Sequence, residues 1–295
     1  MPNATEISAQ YSGSRQLSKD VRTALRLLAK RLALKHSECA SHSVLLVQHL
    51  EEDDCLEATA IYLVSAIAQS IEANLTLREA LFDEEQFERE LSADVVAVVG
   101  EDNTDKNFRS MVRDPWMWEA ISHMLIHLSR DVPGFHPSGS VLAKTSIKHD
   151  VHDHGLDVIS IYEASGLGIS AGECKAYFEN PSRAIVDSSQ ILCEVDSNRR
   201  DIEIRAAVNQ LRSSLKRTTR NQLAGSFWKD ERSYLPFVCC DEAHACDWNR
   251  NRKPLRKLAI PVSKKFLIPV AMANARDVFD EICDVMRSYA ATEER

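Results

Sequence analysis

The chain has 295 residues, 44% of them hydrophobic and 27% charged, with a net charge of −8. That composition suits a folded globular protein with a sizeable core and argues against a disordered one. No apolar run approaches the roughly 20 residues that span a bilayer, the first twenty residues lack the apolar core of a secretion signal, and the eight cysteines follow no disulfide framework, so a cytoplasmic protein with reduced thiols is the expectation.

Leu17, Val21, Leu25, Leu28 and Leu32 recur at helical spacing and predict an amphipathic helix over 17–35. Ala60, Val64, Ile67 and Ile71 predict a second over 56–71, and the acidic stretch Glu79 to Asp94 is compatible with a third. Residues 1–105 therefore read as a mainly helical module, fit for partner docking or regulation. Asp114-Pro115 offers an N-cap followed by proline at the first helical position, ahead of an apolar stripe through Trp118, Ile121, Met124, Leu125 and Leu128. SVLAKTSI, DVISIY and GISAGECKAY read as three strands; helices follow over 183–193 and 200–220, then strand SYLPFVCC, strand FLIPVAM and a helix over 275–290. The fold class expected for 106–295 is α/β.

Charge is unevenly spread along this order. Residues 51–105 hold sixteen Asp or Glu and two basic residues, whereas 199–265 hold sixteen Lys or Arg and seven acids. The acidic part is a solvated surface, a docking face for a basic partner, or a mask for the chain's own basic surface. RAAVNQLRSSLKRTTRNQ carries Arg205, Arg212, Lys216, Arg217 and Arg220, and NRNRKPLRK adds Arg250, Arg252, Lys253, Arg256 and Lys257. Surfaces that are basic, polar and poor in aromatics suit contact with nucleic-acid phosphates rather than base readout.

The densest chemistry lies in the central hairpin. If 157–162 pairs with 168–177 about a turn centred on Ser165, opposed residue numbers sum to 330, and Asp157 faces Glu173. Lys175, two residues on, shares that face. Two adjacent carboxylates raise each other's pKa unless a cation intervenes. Mg²⁺, a hard cation that takes oxygen ligands and keeps several waters, answers that need, with Mn²⁺ as an alternative. A lysine beside such a metal orients the attacking water and offsets phosphoryl charge, which is the chemistry of phosphodiester hydrolysis.

The order helix with Glu119, strand, strand with Asp157, strand with Glu173-Cys174-Lys175, helix, strand resembles the PD-(D/E)XK, restriction-endonuclease-like superfamily. HDHGLDVISIY and GECKAYFENP are, more narrowly, similar to the HamA nuclease subunits of the bacterial Hachiman anti-phage defence system. The resemblance covers about residues 110–295; the first 105 residues carry no matching motif. It implies an αβββαβ nuclease core and a Mg²⁺-dependent deoxyribonuclease restrained by a helicase partner. It also implies Asp157, Glu173 and the Cys174 carbonyl as metal ligands, Lys175 as the catalytic lysine, Glu119 as the superfamily's helix acid, and Gln190 as an aid in positioning water or phosphate. Leu156 stands where the superfamily has proline, a departure that leaves the ligand in place.

Other signals compete. His149, His152 and His154, among Asp150 and Asp153, invite a zinc or manganese metallohydrolase, on a loop ill suited to a fixed tetrahedral site. CCDEAHAC has the letters of a helicase acidic box, but no phosphate-binding glycine loop accompanies it. Its Cys239, Cys240, His244 and Cys246 match no familiar zinc spacing. A reading from a different class is a non-catalytic adaptor that binds a helicase partner through the acidic segment and keeps a degenerate nuclease core.

Overall fold

The computed structural model describes residues 12–77, 84–130, 132, 134–148, 155–223 and 231–292. Helix α1 (Ser12–Arg31) leads into a hairpin, β1 (Ala33–Glu38) and β2 (Ser43–Gln48), followed by α2 (Asp53–Leu77) and α3 (Glu84–Val99). A helical lead-in over 106–113 runs into α4 (Asp114–Leu128), then β3 (Ser140–Lys144), β4 (Val158–Glu163) and β5 (Leu167–Ala176). Next come α5 (Pro181–Asp196), α6 (Asp201–Arg212), α7 (Arg217–Gln222), β6 (Arg232–Asp241), β7 (Phe266–Met272) and α8 (Ala275–Thr292). The chain is thus of mixed α/β class.

One seven-stranded sheet has the order β1-β2-β7-β6-β5-β4-β3. Strands β5, β6, β7 and β2 run parallel, and β1, β4 and β3 pair antiparallel at the two margins. Successive strand residues face opposite sides, so the sheet separates two cores. Val158, Tyr162, Cys174 and Phe237 face α1–α4 and α8, whereas Ile159, Ile161, Ala171 and Val238 face α5 and α6. Among the described residues, no helix is long and apolar enough to cross a membrane.

Three expectations need correction. The helix over 17–35 stops at Arg31, and the first 105 residues contribute a hairpin as well as helices. Its outer strand, ALKHSE, is a half-exposed polar edge without apolar alternation, which is how edge strands avoid further pairing and why it leaves no period-two signal. Strand β2 pairs in parallel with β7, and one apolar cluster joins Leu28, Leu63 and Val95 to Trp118 and Phe279. Sheet and core therefore continue across the boundary at 105/106. Nor does α4 start cleanly at Asp114: the backbone is already helical at Arg113, and the Asp114 carboxylate takes two N–H groups of the Arg113 guanidinium, at 2.9 and 2.7 Å, instead of capping.

Candidate active site

The β4–β5 hairpin has the register that its spacing predicts. Val158 pairs with Gly172, Ile159 with Ala171, and so on to Glu163 with Leu167, each pair summing to 330. One step further back sets Asp157 against Glu173, at the carboxyl end of β5 where the chain leaves the sheet for α5. Crevices at the carboxyl ends of parallel strands are the usual ligand sites of such sheets. Asn180 caps α5 there through its side-chain oxygen, which accepts from the Arg183 N–H at 3.1 Å, and Pro181 occupies the first turn.

Two glycines shape the approach. A Cβ on Gly172 would fall 2.4 Å from Val158 Cγ1 and 3.0 Å from the Phe237 ring, so only glycine lets β4, β5 and β6 close here. Gly155 has φ +150°, and a Cβ there would meet the Glu203 carboxylate, which accepts the N–H of Leu156 and anchors the entry to β4 on α6.

Asp157 is clamped from both sides. Its Oδ2 accepts the Cys174 N–H at 2.7 Å, and its Oδ1 lies 3.6 Å from Lys148 Nζ. Glu173 is almost wholly buried: Oε1 accepts from Lys175 Nζ at 2.7 Å, while Oε2 is buried with no hydrogen-bond partner among the described residues. Burial, reinforced by the negative charge of Asp157, pushes its carboxyl up to about 7 despite Lys175. Burial and Asp157 likewise push Glu119, in the second turn of α4, up to about 8, with Glu173 adding to the effect. For Lys175, burial works against the charged form, but Glu173 and Asp157 outweigh it and hold the ammonium above its ordinary range. The side chains of Glu119, Asp157 and Glu173 thus feel one another across the site, and among the described residues three acids meet two ammonium groups, Lys148 and Lys175.

Three participants were not foreseen from the sequence. Lys148 donates from Nζ to the Gly155 carbonyl at 3.0 Å and from its backbone N–H to Glu119 at 3.4 Å, while its own carbonyl accepts the Trp116 indole N–H at 3.0 Å. His123, one turn beyond Glu119, is fully buried; its Nε2–H donates to the Asp157 carbonyl at 3.0 Å, and its Nδ1 lies 3.5 Å from Lys144 Nζ. Burial, helped by the charge of Lys144, keeps that imidazole neutral well below the usual histidine range. Burial and the charge of Arg130 bring Lys144 itself down to about 8. The i,i+4 spacing of Glu119 and His123 was a signal available in the sequence. Lys148 was hidden at the head of KHDVHDHG, where the histidines drew the eye.

Other expected residues lie apart from this arrangement. Gln190 is on the exposed face of α5 and makes no hydrogen bond to the three acids among the described residues. Arg212, Lys216, Arg217 and Arg220 are exposed around the end of α6 and α7, where Arg212, Arg217 and Arg220 share a shallow concavity with Asn209 and Asn221. Lys253 is exposed at the start of a short helical turn, Lys253–Arg256. Arg252 is instead half-buried and occupied by the fold: its guanidinium donates to the Asp247 carbonyl at 2.9 Å and to Cys246 Sγ at 3.0 Å. Cys239 and Cys240 are buried neighbours on β6 and so face opposite sides, which separates them as zinc ligands. The histidine-rich stretch 149–154 lies outside the described residues.

The donor set fits a hard divalent cation. Asp157 and Glu173 offer carboxylate oxygens, one of them buried and without a partner among the described residues, and burial together with the Asp157 charge raises the Glu173 and Glu119 carboxyls. Among the described residues, no group of three His, Cys, Asp or Glu side chains forms a ready-made metal cage. Two carboxylates and a main-chain carbonyl fall short of that number, and Mg²⁺ characteristically completes its shell with water. In comparisons with known proteins, the chain matches no family model, no curated protein and no solved structure.

Proposed function

We propose that this chain is a metal-dependent DNA endonuclease with a restriction-endonuclease-like core, the nuclease arm of a bacterial anti-phage complex held in check by a helicase partner. The observation that carries the reading is the buried, unpartnered Oε2 of Glu173 beside Asp157, with Lys175 and Lys148 at the margins. Asp157, Glu173 and the Cys174 carbonyl would hold Mg²⁺, with Mn²⁺ as a substitute and Glu119 close by. When bound, the ion supplies a more acidic water and offsets charge on the phosphoryl oxygens.

The chain's own groups have separate tasks. Asp157 is pre-set by the Cys174 N–H on one oxygen, so its other oxygen, on the Lys148 side, needs little reorganisation. Lys175, kept protonated by Glu173, supplies an ammonium to orient water or a non-bridging phosphate oxygen. Lys148 adds a second cation on the Asp157 side. Arg212, Lys216, Arg217 and Arg220 offer exposed positive charge for the DNA backbone. The partner and the defence role rest on the resemblance of HDHGLDVISIY and GECKAYFENP to Hachiman nuclease subunits.

The test is cleavage of supercoiled plasmid by the purified chain with Mg²⁺ or Mn²⁺. Glu173→Ala combined with Lys175→Ala is expected to abolish cutting while the circular dichroism spectrum is retained; cleavage that survives in the double variant rejects the site. The incomplete metal cage favours, as a second reading, an adaptor with a degenerate core. That reading expects no cleavage with either metal, alone or with the helicase partner, and a partner complex unaffected by the double substitution.

A further inference from the structure

The segment that carries Glu173 and Lys175 runs on past the end of β5. The chain stays extended to Phe178, whose carbonyl accepts the Asp241 N–H at 2.9 Å, and the Asn180 N–H then closes back on the Tyr177 carbonyl at 3.1 Å. Phe178 is buried edge-on against Phe279, with ring centroids 5.4 Å apart. Side chains alternate along an extended segment, so an inward Phe178 sends Tyr177 outward, on the side that carries Glu173 and Lys175. Two residues' rise along a strand places it roughly 7 Å beyond Lys175.

The ring is tethered. Its hydroxyl donates to Asp187 Oδ2 at 3.2 Å, and the Arg183 Nε–H donates to the same oxygen at 2.8 Å, so α5 fixes the tyrosine and the carboxylate is already countered. Lys175 and Arg183 lie close enough that their charges offset part of the rise that burial and Asp187 give the Tyr177 hydroxyl. Yet Tyr177 remains 37% exposed, and Val186, beside Asp187 on α5, is 40% exposed. Scattered apolar side chains on a surface need no explanation. This pair differs because one of its members is a fixed aromatic ring at the edge of the acid crevice.

Stacked bases inside a duplex have both faces covered by their neighbours. A ring beside the scissile phosphate therefore meets a base face only where that base is unpaired. Stacking on an aromatic side chain tolerates any sequence, since every base has a π-face, and a tyrosine held in place has little freedom left to lose. We infer that Tyr177, with Val186 and Arg183 at its margin, is a platform for an unpaired base next to the scissile phosphate, so that the site takes single-stranded or frayed DNA in preference to intact duplex. The identity of this ligand rests on the nuclease reading.

Fluorescence titration of the full chain, in a Ca²⁺ buffer free of Mg²⁺ and Mn²⁺, tests the assignment. The probe is a short DNA oligonucleotide containing 2-aminopurine, used as a single strand or annealed to its complement. The single strand is expected to bind about tenfold more tightly than the blunt duplex, with quenching of the 2-aminopurine. Tyr177→Ala should weaken single-strand binding by about tenfold, in line with the stacking of one base, and leave duplex binding within about twofold. Tyr177→Phe, which keeps the ring and loses the tether, should stay within about threefold of the parent, and circular dichroism checks that both variants fold. Duplex bound as tightly as single strand, single-strand binding unchanged in Tyr177→Ala, an equal loss in Tyr177→Phe, or no binding of either DNA overturns the proposal. Plasmid cutting by the parent chain decides the nuclease reading separately. Cutting that persists while the stacking results fail removes the platform alone; stacking by a chain that cuts with neither metal supports the platform and removes the nuclease reading alone.

Discussion

Two clusters of buried charge sit on the first two turns of α4, and they are built differently. At its start, Arg109 and Arg113 meet Asp114 and Asp280 through contacts of 2.6–2.9 Å, two guanidiniums against two carboxylates. Asp114 leaves one oxygen without a partner even there, but its other oxygen is gripped twice by Arg113 and the local charge cancels. Further along, Glu119 joins Asp157 and Glu173, three acids against Lys148 and Lys175, with the Glu173 oxygen left bare. Burial of charge is therefore common to both clusters; what sets the second apart is its excess of acids over the described ammonium groups at a crevice.

The contrast can be broken experimentally. Arg113→Ala should have the largest effect, about 3–5 kcal/mol of lost stability, because it strands Asp114 in a buried setting and leaves Asp280 with Arg109 alone; urea denaturation measures it, and a loss below about 1 kcal/mol would show the balanced cluster to be ornamental. Gly172→Ala should cost about 1–3 kcal/mol, since the added methyl drives into Val158 and Phe237, and it should weaken metal binding by shifting the strand that carries Glu173. The same denaturation followed by a Mg²⁺ titration reads both.

Glu173→Gln should behave in the opposite sense to Arg113→Ala. Removing a charge from the over-acidic cluster should leave metal-free stability unchanged or slightly improved, while cancelling the rise in melting temperature expected of the parent protein with Mg²⁺. A marked loss of stability in this variant would mean that Glu173 is a structural ion-pair partner of Lys175.

A smaller effect is expected from pH. The carboxyls of Glu173 and Glu119 are raised to about 7 and about 8 from an ordinary 4.5. Each binds its proton more tightly folded than unfolded, so its contribution to stability is complete below about pH 4.5 and is lost as pH climbs through 7 and 8. Melts in a chelating buffer should show this decline between pH 5.5 and 8.5, and it should be shallower in Glu119→Gln and in Glu173→Gln. Equal slopes in parent and variants would show that burial does not raise these two carboxyls.

Much of this was legible in the chain itself. The hairpin register followed from local spacing, because a turn at Ser165 and a side-chain period of two leave few pairings open. The strands of the central sheet announced themselves as β-branched runs, and α8 as an apolar stripe over 275–290. The β1–β2 hairpin did not, because its polar outer strand draws stability from β2 and, through it, from β7, more than two hundred residues away. Lys144 was equally silent, since it matters only through contacts made across elements.

By itself, then, the sequence determined the opposition of Asp157 and Glu173, the placement of Lys175 beside them, and the separation of an acidic from a basic stretch; all of these are set by short-range periodicity and composition. Only the tertiary structure decided that Glu173 would be buried with an oxygen to spare, that Lys148 would reach Asp157, and that Arg252 would be absorbed by its own loop. Desolvation and charge balance depend on which distant segments pack together, and local spacing does not encode them.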